Sequence, residues 1–366
     1  MLDNNHESDL IELEKNQYYD KNVPYNLRIK PIPFSTEKDI LDPRYYNMMK
    51  KAGFLMKLLS NLPPKISLKT KPIIKKLFDR NDSKHIYDSQ TTIKDFIIPI
   101  HTHEIPVRFY THNEEKKPLL IYIHGGGFFG GSIESMNELC DMLSYFGDFN
   151  VLSIEYRLSP EYKFPSALHD CNDVVTYVLQ NADELFLKNE ELYLAGDSAG
   201  GNLVLATLLR ERNRKQQNIK KAVLIYPVVN LAPPELGGYE WNESYYEVSK
   251  AQKKVILDSI SIGKVVGLLI SKMYLSREIQ TTNPFVSPLL ANLDNLPPLF
   301  VIYEQYDFLR IEIEAFLKKL STTNTSFQAL QYLGLGHGFI ELIGTYPQAI
   351  DAVKEISAFL GANIDE

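Results

Sequence analysis

A series of short, almost uninterrupted apolar runs, alternating with helix-prone segments, constrains this chain more than any other feature. The runs are Leu119–Ile123, Val151–Glu155, Leu192–Ala195, Ala222–Tyr226, Leu299–Tyr303 and Phe327–Tyr332. Helices are predicted over Ser135–Tyr145, Pro165–Leu179, Gly200–Arg212, Ile311–Leu320 and Pro347–Leu360; in the last, Ile350, Val353, Ile356 and Leu360 recur at helical spacing. Strands apolar along their whole length are buried on both faces, as in parallel sheets. The alternation therefore predicts an α/β fold, a mostly parallel central sheet with helices on both faces. Upstream, "TTIKDFIIPI" and "EIPVRFYTH" are rich in β-formers and predict a leading antiparallel pair.

Two segments stand outside this rhythm. About seventy residues separate Tyr226 from Leu299; they carry Tyr239, Trp241, Tyr245 and Tyr246, then an apolar helix predicted around Ile256–Tyr274. A gap that long in a compact domain is usually functional, such as a lid. Residues 1–90 are polar and helix-prone, broken by Pro63, Pro64 and Pro72. The expected division is an N-terminal cap or extension at 1–90 and an α/β domain at 91–366 with a cap insertion at about 230–282. Trp241, Tyr245 and Tyr246, with the apolar run Val265–Ile270, are expected to line a substrate pocket.

The formal net charge of -7 argues against a nucleic-acid partner. Cys140 and Cys171 are the only cysteines, which gives no disulfide framework and suits a reducing compartment. The acidic N-terminus has no basic and then apolar signal pattern, and Val265–Ile270 is far shorter than a membrane span. A cytoplasmic protein is expected. Residues 50–80 run against this acidity: lysines recur from Lys50 to Lys76, followed by Arg80, against the single acid Asp79. Interleaved apolar residues suggest amphipathic pieces. Packing on the main domain with solvated lysines is the favoured reading, and contact with an anionic membrane surface is the alternative.

The chemistry concentrates at strand ends. Gly196-Asp197-Ser198-Ala199-Gly200 follows a strand and opens a helix, which fits G-x-S-x-G, where the serine occupies a strained turn with its hydroxyl exposed. A Gly-rich packing or phosphate loop is the rival. "HGGGF" follows another strand, where Gly125, Gly126 and Gly127 let the backbone approach a ligand closely. No G-x-x-x-x-G-K-[ST] accompanies it to suggest a nucleotide. A serine needs a base, and the base an orienting acid. His337 lies in a Gly-rich loop after the last predicted strand. Asp307 lies just past Leu299–Tyr303, with Glu304 as a rival closer to the strand. The order Ser198, Asp307, His337 is the α/β-hydrolase order of nucleophile, acid and base. All three sit at the strand ends where open α/β sheets place their sites.

From about Leu119 to Leu360 the chain resembles the hormone-sensitive lipase family of α/β-hydrolases. "HGGGF", "YRLSPEYKFPSALHD", "GDSAGGNL" and "SPLLANLDNLPPLFVIYEQYDFLR" continuing to "HGF" carry the resemblance. It implies a serine carboxylesterase or lipase acting on short- to medium-chain esters, with Ser198 as nucleophile, His337 as base and Asp307 as acid. It implies that Gly126, Gly127 and Ala199 give backbone N–H groups to the oxyanion, with His124, Gly125 and Asp197 supporting the motifs. Arg157 and Asp170 read as scaffold. The expected partner is a small-molecule ester, and neither a metal nor an organic cofactor is expected. Phe308 stands where the family commonly has proline, and Ile311-Glu312 where it has an acidic pair, which bears on substrate preference. A binding protein that has lost catalysis and an amidase remain as alternatives, the first opposed by the presence of His337 and the second by the HGGGF loop.

Overall fold

The structure, a computed structural model, describes residues 4–50, 83, 86, 89, 91–112, 115–185, 187–215 and 217–361. The basic stretch 50–80 lies, beyond Lys50, outside the described residues.

A ten-stranded sheet organises the chain, in the order β1-β2-β10-β9-β8-β7-β5-β6-β4-β3. Its strands are β1 (Tyr18–Asp20), β2 (Leu27–Lys30), β3 (Thr92–Ile100), β4 (His103–Thr111), β5 (Lys117–Ile123), β6 (Asn150–Ile154), β7 (Leu187–Asp197), β8 (Ile219–Ile225), β9 (Leu299–Glu304) and β10 (Phe327–Tyr332). From β6 through β5, β7, β8, β9 and β10 to β2 every pairing is parallel; β3 with β4, β4 with β6 and β1 with β2 are antiparallel. The helices are α1 (Asn4–Lys15), α2 (Asn137–Phe146), α3 (Ser166–Gln180), α4 (Ala199–Asn213), α5 (Lys253–Tyr274), α6 (Arg310–Leu320) and α7 (Pro347–Gly361). Every residue of β6 and β9 is buried, as the unbroken apolar runs require of strands covered on both sides. Cys140 on α2 and Cys171 on α3 are buried free thiols. No helix among the described residues is long and apolar enough to cross a membrane.

The N-terminal region carries helix over Asn4–Lys15 and 43–50, as expected, and between them it also adds strands not expected from the sequence. β2 extends the sheet past β10, pairing Leu27 with Ala329 and Lys30 with Tyr332. Leu27 and Ile29 go into the core. The fully buried Lys30 ammonium lies 2.8 Å from Asp351 and 2.6 Å from Glu355, both on α7. An ion pair this well surrounded offsets the desolvation of its charges, and it fixes the strand's register. Residues 18–30 therefore belong to the sheet, and a boundary at residue 90 does not separate a cap from it.

The insertion after β8 reaches back to the same N-terminal stretch. Ser249 N–H donates to the Asp39 carbonyl (2.7 Å), and the Gln252 side chain accepts from Leu41 N–H (2.7 Å). At the far end of α5, Tyr274 stacks on Phe128 with ring centroids 3.8 Å apart. The long helix is thereby anchored to the loop that follows β5.

Candidate active site

β7 ends at Asp197 and α4 begins at Ala199, so Ser198 alone makes the turn, with φ 52 and ψ -115. That conformation is strained for a residue with a β-carbon and persists only where its surroundings over-determine it. Here they do. Ser198 N–H donates to the Ile225 carbonyl (2.8 Å), and its own carbonyl accepts from Val228 (3.0 Å) and Asn202 (3.2 Å). The helix also presses onto β5 at Gly200, where any β-carbon would run into the Ile123 carbonyl oxygen. The glycine after the serine is thus a packing requirement of the elbow.

The structure brings Ser198, His337 and Asp307 together. Ser198 Oγ lies 3.0 Å from His337 Nε2, and His337 Nδ1 lies 2.8 Å from Asp307 Oδ2. Asp307 is fully buried, and its Oδ1 accepts from Leu309 N–H (2.8 Å). Glu304, the rival acid, is the last residue of β9; it is equally buried and makes no hydrogen bond to a donor among the described residues.

Several residues that hold this geometry, Phe308 excepted, were not singled out in the sequence. Gln305 N–H donates to the Tyr332 carbonyl (3.0 Å) and Tyr306 N–H to Leu335 (2.9 Å), lacing the acid loop to the histidine loop. The Gln305 side chain accepts from Gly334 N–H (2.9 Å) and donates to the Lys38 carbonyl (2.9 Å). Tyr226 and Phe308 flank the His337 ring at centroid distances of 4.8 Å and 4.9 Å. Only chain-long contacts reveal these roles. A glutamine or tyrosine beside a strand end carries no local pattern that marks it.

The glycine loop after β5 is braced from the elbow. Asp197 Oδ1 accepts from Gly125 N–H (2.8 Å) and from the Tyr122 hydroxyl (2.9 Å), and burial raises its carboxyl above the usual range. His124 is buried with Nδ1 2.7 Å from the Gly125 carbonyl oxygen and its ring stacked on Tyr156. Gly126 (φ 103) and Gly127 (φ 63) follow in the left-handed region that favours glycine. Ala199 is the first residue of α4, so its N–H has no partner within the helix.

The expected pocket lining is corrected in part. Tyr245, Val265 and Leu268 are exposed. α5 is apolar around much of its circumference, so composition did not reveal which face turns inward. Ile270 does so, with its Cδ1 2.5 Å from where a β-carbon on Gly127 would lie. Tyr246 is buried and donates to the Asp307 carbonyl (2.7 Å), while Trp241 Nε1 donates to the Phe308 carbonyl (3.3 Å). These aromatic residues brace the acid loop. Arg157 and Asp170 form a separate cluster: Asp170 accepts from the Arg157 backbone (2.8 Å), the Arg157 guanidinium (2.6 Å) and His103 (2.8 Å). Among the described residues no group of three or more His, Cys, Asp or Glu is gathered as metal ligands would be.

A sheet of this order with a serine elbow, a strand-end acid and a late histidine defines an α/β-hydrolase, and the comparisons agree. A family model described as the alpha/beta hydrolase fold matches residues 120–341. An arylesterase of Saccharolobus solfataricus is 33% identical over 249 residues, covering 68% of this chain and 76% of that protein. The solved hyperthermophilic esterase of Pyrobaculum calidifontis is 29% identical with a TM-score of 0.66, over 88% of this chain and 98% of that one. An ester hydrolase from the Lake Arreo metagenome is 25% identical with a TM-score of 0.75, over 89% and 100%. The chain belongs to the hormone-sensitive lipase-like carboxylesterases of this fold. It is a carboxylic ester hydrolase.

Proposed function

We propose that the protein cleaves small carboxylic esters with short to medium acyl chains through an acyl-enzyme on Ser198. The observation that carries this reading is the continuous hydrogen-bonded run from Ser198 Oγ through His337 to Asp307. Asp307 accepts a hydrogen bond from His337 Nδ1–H, which keeps the proton on that nitrogen and leaves Nε2 free to accept from the serine. As Oγ attacks the ester carbonyl, its proton passes to Nε2 and the carbonyl electrons move onto the oxygen. Gly126, Gly127 and Ala199 N–H groups receive that oxyanion, a contribution of about 10²–10³ in kcat for one donor. Collapse breaks the C–O bond, and the imidazolium gives its proton to the departing alcohol. Water, deprotonated by the same imidazole, then releases the acid and restores Ser198.

Ile270 against the glycine loop and Phe308 against His337 support an enclosed acyl site. A series of p-nitrophenyl esters from acetyl to palmitoyl, with Ser198→Ala as blank, tests the reading. Turnover is expected to peak between acetyl and octanoyl and to fall about 10⁴–10⁶-fold in the blank. Faster turnover of palmitoyl than of butyryl esters would refute the chain-length assignment. Comparable activity in the Ser198→Ala protein would refute the nucleophile.

A further inference from the structure

Behind the triad lies a second acid that the mechanism above does not use. Glu304 ends β9, paired in register with Tyr332 of β10, and is fully buried. Neither of its carboxyl oxygens meets a hydrogen-bond donor among the described residues. Its carboxyl lies within hydrogen-bonding reach of Asp307. The other titratable groups facing it are the Tyr45 and Tyr226 hydroxyls, which burial keeps neutral. An ionised carboxylate in such a place would be desolvated and beside a like charge, effects that its own backbone N–H opposes only in part. Both effects favour the protonated form. Asp307 offers that proton an acceptor, because each carboxylate oxygen has a lone pair beyond those facing His337 and Leu309.

We propose that Glu304 is a positioning residue of the triad: as the neutral acid it donates a hydrogen bond to the Asp307 carboxylate. The triad acid is then a carboxyl–carboxylate pair holding one proton and one negative charge. The donated bond fixes the rotation of Asp307 about its side chain and spreads its charge, moderating its pull on the histidine proton. Burial and the Asp307 charge both hold the Glu304 proton well above the ordinary carboxyl range. Its loss at alkaline pH removes the donor and sets two like charges side by side behind His337.

The kinetic part of the test rests on the esterase reading; the spectroscopic part does not. An infrared difference spectrum between wild type and Glu304→Gln at pH 7 is expected to contain a protonated-carboxyl stretch that shifts in D₂O. Glu304→Ala, which removes the donor, is expected to lower kcat about tenfold or more with KM within about twofold. Glu304→Gln, whose amide N–H can replace the O–H, is expected to recover most of that loss. It is also expected to lack the alkaline limb that wild-type kcat/KM shows as the infrared band disappears. Absence of the band at pH 7, or pH profiles of both variants that match wild type, would overturn the proposal. A band without ester turnover in any of the proteins would leave the carboxyl pair standing and refute the hydrolase reading.

Discussion

Glu312→Gln should make this protein more stable at alkaline pH than it is with its natural residue. Glu312 lies in the first turn of α6, and its Oε1 accepts from the backbone N–H groups of Val229 (3.0 Å) and Asn230 (3.2 Å). That loop continues from Val228, which is bonded to Ser198, so the carboxyl anchors the elbow's neighbour. Burial is the dominant influence on Glu312 and pushes its carboxyl from 4.5 up to about 8, against the opposing effect of the two N–H donors. Between those values the folded chain holds a proton that the unfolded chain has released. Stability therefore falls as pH rises from about 4.5 to 8 and levels off above, the reverse of an ion-paired carboxylate. At about 1.36 kcal/mol per pH unit, the span amounts to about 3–5 kcal/mol, allowing for water that reaches the charged form.

Glutamine keeps the carbonyl acceptor for both N–H groups and does not titrate. Urea denaturation at pH 5, 7 and 9, followed by far-UV circular dichroism and by the fluorescence of Trp241, the chain's single tryptophan, measures the effect. The stability difference between variant and wild type should move in the variant's favour by about 3–5 kcal/mol from pH 5 to pH 9. Subtraction cancels the other buried acids, Asp197 and Asp351 among them, which burial also raises. A difference constant across the three pH values would show that Glu312 is ionised in the folded protein, and the desolvation reasoning would be wrong.

Asp307→Asn should retain the fold and lose about 10⁴ in kcat, because an amide facing Nδ1 favours the wrong histidine tautomer; a loss below tenfold in esterase assays would move the acid elsewhere. Gly127→Ala should lower kcat at least about tenfold, because it forces a β-carbon at φ 63 to within 2.5 Å of Ile270 Cδ1 and displaces an oxyanion donor. Ile270→Ala in the same chain should restore part of that loss if the clash with the insertion is the cause, and none if backbone strain alone is.

The parallel strands were legible in the sequence because strands covered on both faces must be apolar throughout. The residues proposed as the triad stood out for a related reason: Ser198, Asp307 and His337 each fall just beyond such a run, and the structure brings them within hydrogen-bonding distance. Choosing between Asp307 and Glu304 needed finer geometry. Glu304 is still paired within the sheet and fully buried, whereas Asp307, three residues on, lies in a loop and reaches His337. β2 escaped notice although Val23, Tyr25, Leu27 and Ile29 alternate, because Pro24, Pro31 and Pro33 crowd so short a segment and its partner β10 is about 300 residues away. Alternation can mark a strand, but it does not say which distant strand it pairs with.

The insertion and the chemistry meet at Phe308, and the sequence shows why that contact belongs to this chain. The ring flanks His337 on one side. On the other it fills the space at Gly263 of α5, where a β-carbon would collide with it, and it comes within ordinary contact distance of one at Gly267 (3.6 Å). Its carbonyl accepts from Trp241, whose ring in turn lies under the Lys264 ammonium at 3.5 Å, a cation–π contact back to the same helix. A proline in place of Phe308 would leave the groove at Gly263 unfilled. The glycines in α5 and the phenylalanine in the acid loop are therefore matched to each other. Through that match, the insertion packs by way of Phe308 against the His337 ring.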